Sequence, residues 1–366
     1  MNRAAGSWWC FALTLVCQQI FGGMATAQTN PWKIGAVLCL TGGCANLGTD
    51  SVKGAQMALD EINSRGGVLG RTLKLVVQDT SEAVSGAQAV SAYKQLRTDK
   101  DIHYFIGPTW APAGLALAPI VAQEKDIVMM SPSLGAPEFH KAGENIFNSR
   151  GTDEVASRMA ARYAFKKGFK RAAIFSSQQP WETAQADFFE DEFTKLGGSL
   201  VMRVEPLPTV SDVGTEALRI VSKKPDVVFI STMVLMPRAA RKLRELKYAG
   251  FLMGSYIDET RITESQGTLE GAVFYGYKQP TGAFRDQFFK KYREYPLREG
   301  ATAYDTINVF AQAVQQAGTF DPEKVIKAIK TIKMDGGSGG FSFDSQGCAV
   351  RELVASKIVG AGYEGL

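Results

Sequence analysis

The sequence predicts an α/β protein of two lobes, each a mostly parallel sheet flanked by helices. Three observations lead there. Residues 33–80 run apolar segment, amphipathic segment, apolar segment, which is the pattern of a βαβ unit. That alternation recurs in two series along a chain of 366 residues, enough for two domains of ordinary size. Stretches rich in Gly, Pro or Ser punctuate it near 133–145, 279–282 and 336–340.

The first unit organises the rest. Residues 33–40 are a nearly continuous apolar run, expected of a strand buried on both faces. A helix is predicted to start near Thr49 or Asp50, both good N-cap types. Its Ala55, Ala58, Leu59 and Ile62 form one apolar stripe, and Gly66-Gly67 ends it. Residues 72–78 form the second strand, parallel to the first because a right-handed crossover links them. Ligands bind outside the carboxyl ends of strands in such sheets, which puts residues 41–47 at the mouth of a site.

The alternation then continues. Residues 86–97 read as a helix with Ala89, Tyr93 and Leu96 inward, 102–106 as a strand, 112–123 as a helix with Pro at its first turn, and 127–130 as a strand. A linker is expected over 133–145, and a second series from Ile146. That series comprises a helix through 158–167 and a strand at 172–175. A helix striped by Phe189, Phe193 and Leu196 follows, then strands at 199–204 and 226–231 and a helix at 237–249. Residues 272–277 lead to a second linker at 279–282, followed by helices at 283–294, at 302–317 and from Pro322. Six loops should converge at strand carboxyl ends: 41–47, 108–111, 131–135, 176–181, 231–235 and 255–259. They are polar, glycine-bearing and aromatic-bearing, as a small-molecule cleft requires.

Composition excludes several functions. With 45% apolar and 21% charged residues, the chain has the balance of a globular protein. Its net charge of +4 is small and scattered, so no nucleic-acid partner is expected. Residues 1–27 read as a secretory signal peptide: Arg3 supplies the positive start, 8–16 is apolar, and Ala25-Thr26-Ala27 is a small-x-small cleavage site. Cleavage after Ala27 leaves Cys39, Cys44 and Cys348. An oxidising compartment permits a Cys39–Cys44 disulfide, and three buried thiols are the alternative. Neither CxxC nor paired His spacing occurs, so no metal and no cofactor are expected. Gly336-Gly337-Ser338-Gly339-Gly340 matches the GxSxG hydrolase elbow in letters. A strand should precede that elbow, a helix should follow it, and a His should come later in the chain; only His103 and His140 exist. A glycine crossing is the better reading, with His103 structural and His140 solvated in a linker.

The chain resembles the periplasmic branched-chain amino-acid binding proteins, the type I solute-binding proteins of ABC transporters. The resemblance rests on IGAVLxLTG from 34, GAQMALDEINSRGGVLG from 54 and LxLVVQDT from 73. It continues with IGPTWAPAGLALAPIVAQ from 106, MMSPSLGAPEF from 129 and AYDTINVFAQAV from 303. It spans essentially the whole mature chain. It implies a clamshell crossed three times by the chain, with 28–142 plus 281–335 as one lobe and 143–280 plus 336–366 as the other. It also implies a monomeric, non-enzymatic, periplasmic protein that delivers a small molecule to an inner-membrane ABC permease.

Carried over by position, the family's carboxylate-binding hydroxyls fall on Ala111, after Trp110, and on Gly135, after Ser133. The Tyr-Gly that covers the ligand falls on Trp181-Glu182. The acid that holds the amino group falls near Tyr256, with Asp258 two residues on. Leu47 and Met233 complete the expected binding set. Both hydroxyls being absent, and Ala111 standing where the N-cap of the following helix should be, the expected ligand is a small carboxylate with an apolar or aromatic body, aliphatic amino acids being next. Trp110 and Trp181 should flank it, one from each lobe. A sensory binding module feeding a receptor needs the same clamshell, and genomic neighbours separate the two; a secreted hydrolase is a distant third.

Overall fold

The computed structural model describes residues 30–81, 85–280 and 282–366. The expected signal segment and Thr281 of the second linker lie outside them.

The chain first builds a five-stranded parallel sheet of order β2-β1-β3-β4-β5. Its strands are β1 (Trp32–Leu38), β2 (Leu73–Asp79), β3 (Tyr104–Ile106), β4 (Val128–Ser131) and β5 (Ile146–Asn148). The helices between them are α1 (Ala45–Ser64), α2 (Ala87–Leu96), α3 (Ala111–Val121) and α4 (Pro137–Lys141). β1 is buried on both faces: Ile34, Ala36 and Leu38 join one core and Val37 another. That is why its sequence is apolar without alternation.

A second sheet of seven strands follows, in the order β15-β14-β10-β9-β8-β6-β7. Its parallel part is β6 (Arg171–Phe175), β7 (Ser199–Val204), β8 (Val227–Ile230), β9 (Phe251–Gly254) and β10 (Val273–Tyr277). Helices α5 (Glu154–Lys166), α6 (Pro180–Lys195), α7 (Gly214–Ser222), α8 (Met236–Glu245) and α9 (Glu259–Glu264) cover it. Phe189 of α6 stacks on Phe229 of β8 at 4.3 Å between ring centroids.

The chain then returns. Helices α10 (Gly282–Tyr292), α11 (Arg298–Ala317) and α12 (Pro322–Ile329) precede an antiparallel sheet of β11 (Lys333–Gly336), β12 (Gly339–Phe343) and β13 (Ala349–Arg351). Ile307, Phe310, Ile329, Phe341 and Phe343 share one core with β1. α11 lies so close on α1 that a Cβ at Gly54 would stand 1.8 Å from the Gly300 carbonyl oxygen. Finally β14 (Leu353–Val359) and β15 (Gly362–Gly365) add antiparallel to β10.

Several expectations need correction. The start of the second lobe at 143 is too early, because Ile146–Asn148 pairs with β4 and extends the first sheet. Three residues make too short an apolar run to reveal which sheet they join. The expected linker 133–145 contains α4, and His140 on it is 3% exposed rather than solvated. Burial pushes its imidazole down to about 4. Nor do residues 336–340 cross between lobes: they are the turn joining β11 to β12, and the chain passes to the second sheet only between Arg351 and Leu353. Ser338 therefore has strands on both sides and no helix after it. α1 begins at Ala45, and the Thr49 hydroxyl donates back to the Ala45 carbonyl at 2.7 Å instead of capping.

The passages between lobes are bonded to one another. Arg351 Nε donates to the Ser149 carbonyl at 2.7 Å, the Asn148 N–H to the Gly347 carbonyl at 2.9 Å, and the Tyr277 hydroxyl to the Thr152 carbonyl.

Candidate functional site

A cavity of about 80 Å³ lies where the two sheets face each other. Strand carboxyl ends surround it. Trp110, Ala111 and Pro112 follow β3; Ser133, Leu134 and Gly135 follow β4; Arg150 follows β5. From the other side come Gln179, Trp181 and Glu182 after β6, Met233 and Val234 after β8, and Tyr256 after β9. Leu47 of α1, Thr109 and Glu299 of α11 complete the lining.

Of the residues singled out in the sequence, Leu47, Trp110, Ala111, Ser133, Gly135, Trp181, Met233 and Tyr256 meet here. Asp258 does not line the cavity. It caps α9, accepting from the Arg261 N–H at 2.9 Å and from Arg261 Nη1 at 3.2 Å. A helix start two residues beyond the family position consumes this carboxyl locally. Two details also differ. Trp181 stands in the first turn of α6, not in a loop. Trp110, not Ala111, is the N-cap residue of α3, and no side chain caps that helix.

The β1–α1 turn is tied in two ways. Cys39 and Cys44 form a disulfide, so of the two alternatives left open the bridge is the one present; the Cys348 thiol is free and buried. Thr109 Oγ1 accepts from the Cys39 N–H at 3.0 Å. Trp110 and Leu297 pack against the bridge and Leu47.

Charges are arranged around Gly135. Asp153 Oδ2 accepts from Arg150 Nη1 at 2.6 Å and from Trp181 Nε1 at 2.9 Å. A Cβ at Gly135 would come within 2.1 Å of that oxygen and 2.4 Å of the indole nitrogen. A side chain cannot stand here unless the Arg150–Asp153–Trp181 network moves, since that network fills the place where the resemblance implies a hydroxyl. Trp181 belongs to the second lobe yet packs into the core that includes Leu134 and Phe139 of the first. Glu182 accepts from the Met233 N–H at 2.9 Å and from the Ser177 hydroxyl. Burial raises its pKa, and those hydrogen bonds partly offset the rise.

Most of the lining that sequence reading missed lies beside residues it had marked: Thr109, Pro112, Leu134, Gln179 and Val234 belong to the same turns. Arg150 was hidden by assigning its strand to the other lobe. Glu299 carried no signal beyond an acidic residue near a helix start.

The comparisons agree with this geometry. A family model described as "Periplasmic binding protein" matches residues 31–362. A Leu/Ile/Val-binding protein of Rhizobium johnstonii is 32% identical over 218 residues, covering 59% of this chain and 58% of that one. A leucine-, isoleucine-, valine-, threonine- and alanine-binding protein of Pseudomonas aeruginosa is 26% identical over 327 residues, 86% of each chain. Among solved structures, a leucine-binding protein of Thermotoga maritima superposes with a TM-score of 0.82 at 25% identity, over 91% of this chain and 97% of that one. A solute-binding protein of Rhodopseudomonas palustris with benzoate superposes at 0.81 and 17% identity, over 92% and 95%, and shows the fold alone. By the extent of the family match and the shared two-lobed architecture, this chain belongs to the periplasmic binding protein family.

Proposed function

We propose that the cavity between the lobes holds a small organic carboxylate with an apolar body, either an amino acid or an aromatic acid. The chain, a monomer secreted to the periplasm by cleavage after Ala27, hands it to an inner-membrane permease without chemical change. The observation that carries this reading is the cavity itself, walled from both lobes by Trp110 and Trp181 with Leu47, Leu134 and Met233. Indoles and aliphatic side chains suit a flat or branched apolar body. Among the described residues Arg150 is the one cationic side chain in the lining, and it suits a carboxylate. Named relatives point to the same two ligand classes: leucine, isoleucine and valine for some, benzoate for another. At about 80 Å³ the cavity is smaller than the roughly 150 Å³ void that takes up benzene, so the walls must part for entry. A ligand touching both lobes then favours the closed arrangement.

The test is titration calorimetry of the mature chain with leucine, phenylalanine, benzoate and 4-hydroxybenzoate. At least one should bind, and Trp181→Ala should weaken it about tenfold or more. The reading is wrong if none of the panel binds, or if Trp181→Ala leaves every affinity unchanged.

A further inference from the structure

Every carboxyl around the cavity except one is engaged by the protein. Asp153 is held by Arg150 and Trp181, Glu182 by Ser177 and Met233, and Asp258 by Arg261. Glu299 is the exception. It lines the cavity, is 2% exposed, and its Oε2 has no hydrogen-bond partner among the described residues. Its neighbour Arg298 does not pair with it. That guanidinium lies over the Tyr256 ring, 4.8 Å from the centroid, and its Nε and Nη1 are also without partners.

A buried carboxyl without donors is expensive to keep. Its place in the first turn of α11 recovers part of that cost through the helix dipole. The dipole explains how the fold tolerates Glu299, not why nothing donates to it. No protein donor among the described residues reaches Glu299 Oε2, while Glu299 lines the cavity. The acid expected near Tyr256 or Asp258 is meanwhile missing: one position is an aromatic ring and the other is a helix cap.

We infer that Glu299 receives a cationic N–H donor of the ligand, so that the ligand of this cavity carries a primary ammonium group. The donor approaches from the cavity and its hydrogen bonds satisfy the carboxyl that the protein leaves open. Arg150, in the same lining, takes the opposite end of a zwitterion. The inference rests on the cavity being the ligand site, but it does not require the carboxylate.

Matched probes separate the two claims. For one apolar body they are phenylalanine, 3-phenylpropionate and phenethylamine; for another, leucine, 4-methylpentanoate and isoamylamine. Each is titrated calorimetrically into wild type, Glu299→Gln and Glu299→Asp. A hydrogen bond to a charged group corresponds to about tenfold to a hundredfold in affinity. For at least one body, the amine-bearing probe should bind wild type tighter than its deaminated partner by that factor. The preference should vanish in Glu299→Gln and partly survive in Glu299→Asp. Because Glu299 Oε2 meets no donor among the described residues, Glu299→Gln should unfold without ligand at no lower temperature than wild type.

The inference is overturned if no amine-bearing probe binds, if the deaminated acids bind as tightly as their amino counterparts, or if Glu299→Gln keeps the preference. It is overturned as well if ligand-free Glu299→Gln melts clearly lower, which would make Glu299 a structural carboxyl. Binding of an amine with none of the carboxylates would support Glu299 while overturning the carboxylate reading. Binding of the acids alone would do the reverse.

Discussion

Helix α11 carries two buried carboxyls that the protein treats in opposite ways. Asp305 is 0% exposed, and Arg351 Nη2 donates to it at 2.6 Å while the Gly337 N–H donates at 2.7 Å. Glu299, near the start of the same helix, is as buried and has an oxygen that no donor meets among the described residues. Asp305 faces the passages between the lobes, where Arg351 also binds the Ser149 carbonyl. Glu299 faces the cavity. The difference teaches where this fold spends its hydrogen bonds: the carboxyl that joins the passages between the lobes is met by protein donors, and the carboxyl whose oxygen is left open lines the cavity, where a solute can reach it.

Breaking the satisfied side should have the largest effect. Arg351→Met leaves Asp305 buried without its cation, which costs about 3–5 kcal/mol. Urea unfolding of the ligand-free chain measures it, and a loss below about 1 kcal/mol would remove the contrast with Glu299.

The opposite wall of the cavity can be tested at Gly135. If the Arg150–Asp153–Trp181 network is of the satisfied kind, Gly135→Ala must push it apart. The expected loss is about 1–3 kcal/mol by overpacking, together with the thermal shift produced by any ligand. Unchanged stability would mean that the network yields at no cost.

The smallest effect concerns Asp50, whose carboxyl accepts from the Gly300 N–H. Burial first, and the charge of Glu299 second, push it up to about 8 from 3.8. A folded value above the unfolded one means that the fold keeps a proton which the unfolded chain releases. That stabilisation is complete below about pH 3.8 and is lost as pH rises towards 8. Asp50→Asn, which can still accept from Gly300, should therefore gain on wild type by about 1–2 kcal/mol between pH 6.5 and pH 8 in denaturant midpoints. A parallel pH dependence in the two proteins would show that Glu299 imposes no strain on its neighbour.

Much of the fold could be read directly. The apolar stretch containing β1, the stripe of Ala55, Ala58, Leu59 and Ile62, and the pair Phe189 and Phe193 all lie on buried faces. Local periodicity reports one-sided burial because helices and strands repeat at fixed intervals. The helix ends were less legible. α1 starts at Ala45 without a side-chain cap, so Thr49 and Asp50 were misleading as start signals. Likewise, the glycines at 336–340 read as a crossing although they turn a hairpin.

The sequence by itself determined that this is a two-series α/β chain whose binding residues follow strand ends, because strand direction and crossover handedness are local properties. The family resemblance, carried over by position onto those strand ends, marked Trp110, Trp181, Ser133, Gly135 and Met233. Only the tertiary structure decided which sheet receives Ile146–Asn148 and that Arg150 therefore reaches the cavity. It alone decided that Asp258 is consumed as a cap and that Gly135 must lack a side chain. It alone left Glu299 without a partner. Whether a charge is paired depends on groups distant in the chain, as Arg351 is from Asp305, and no local pattern records that meeting.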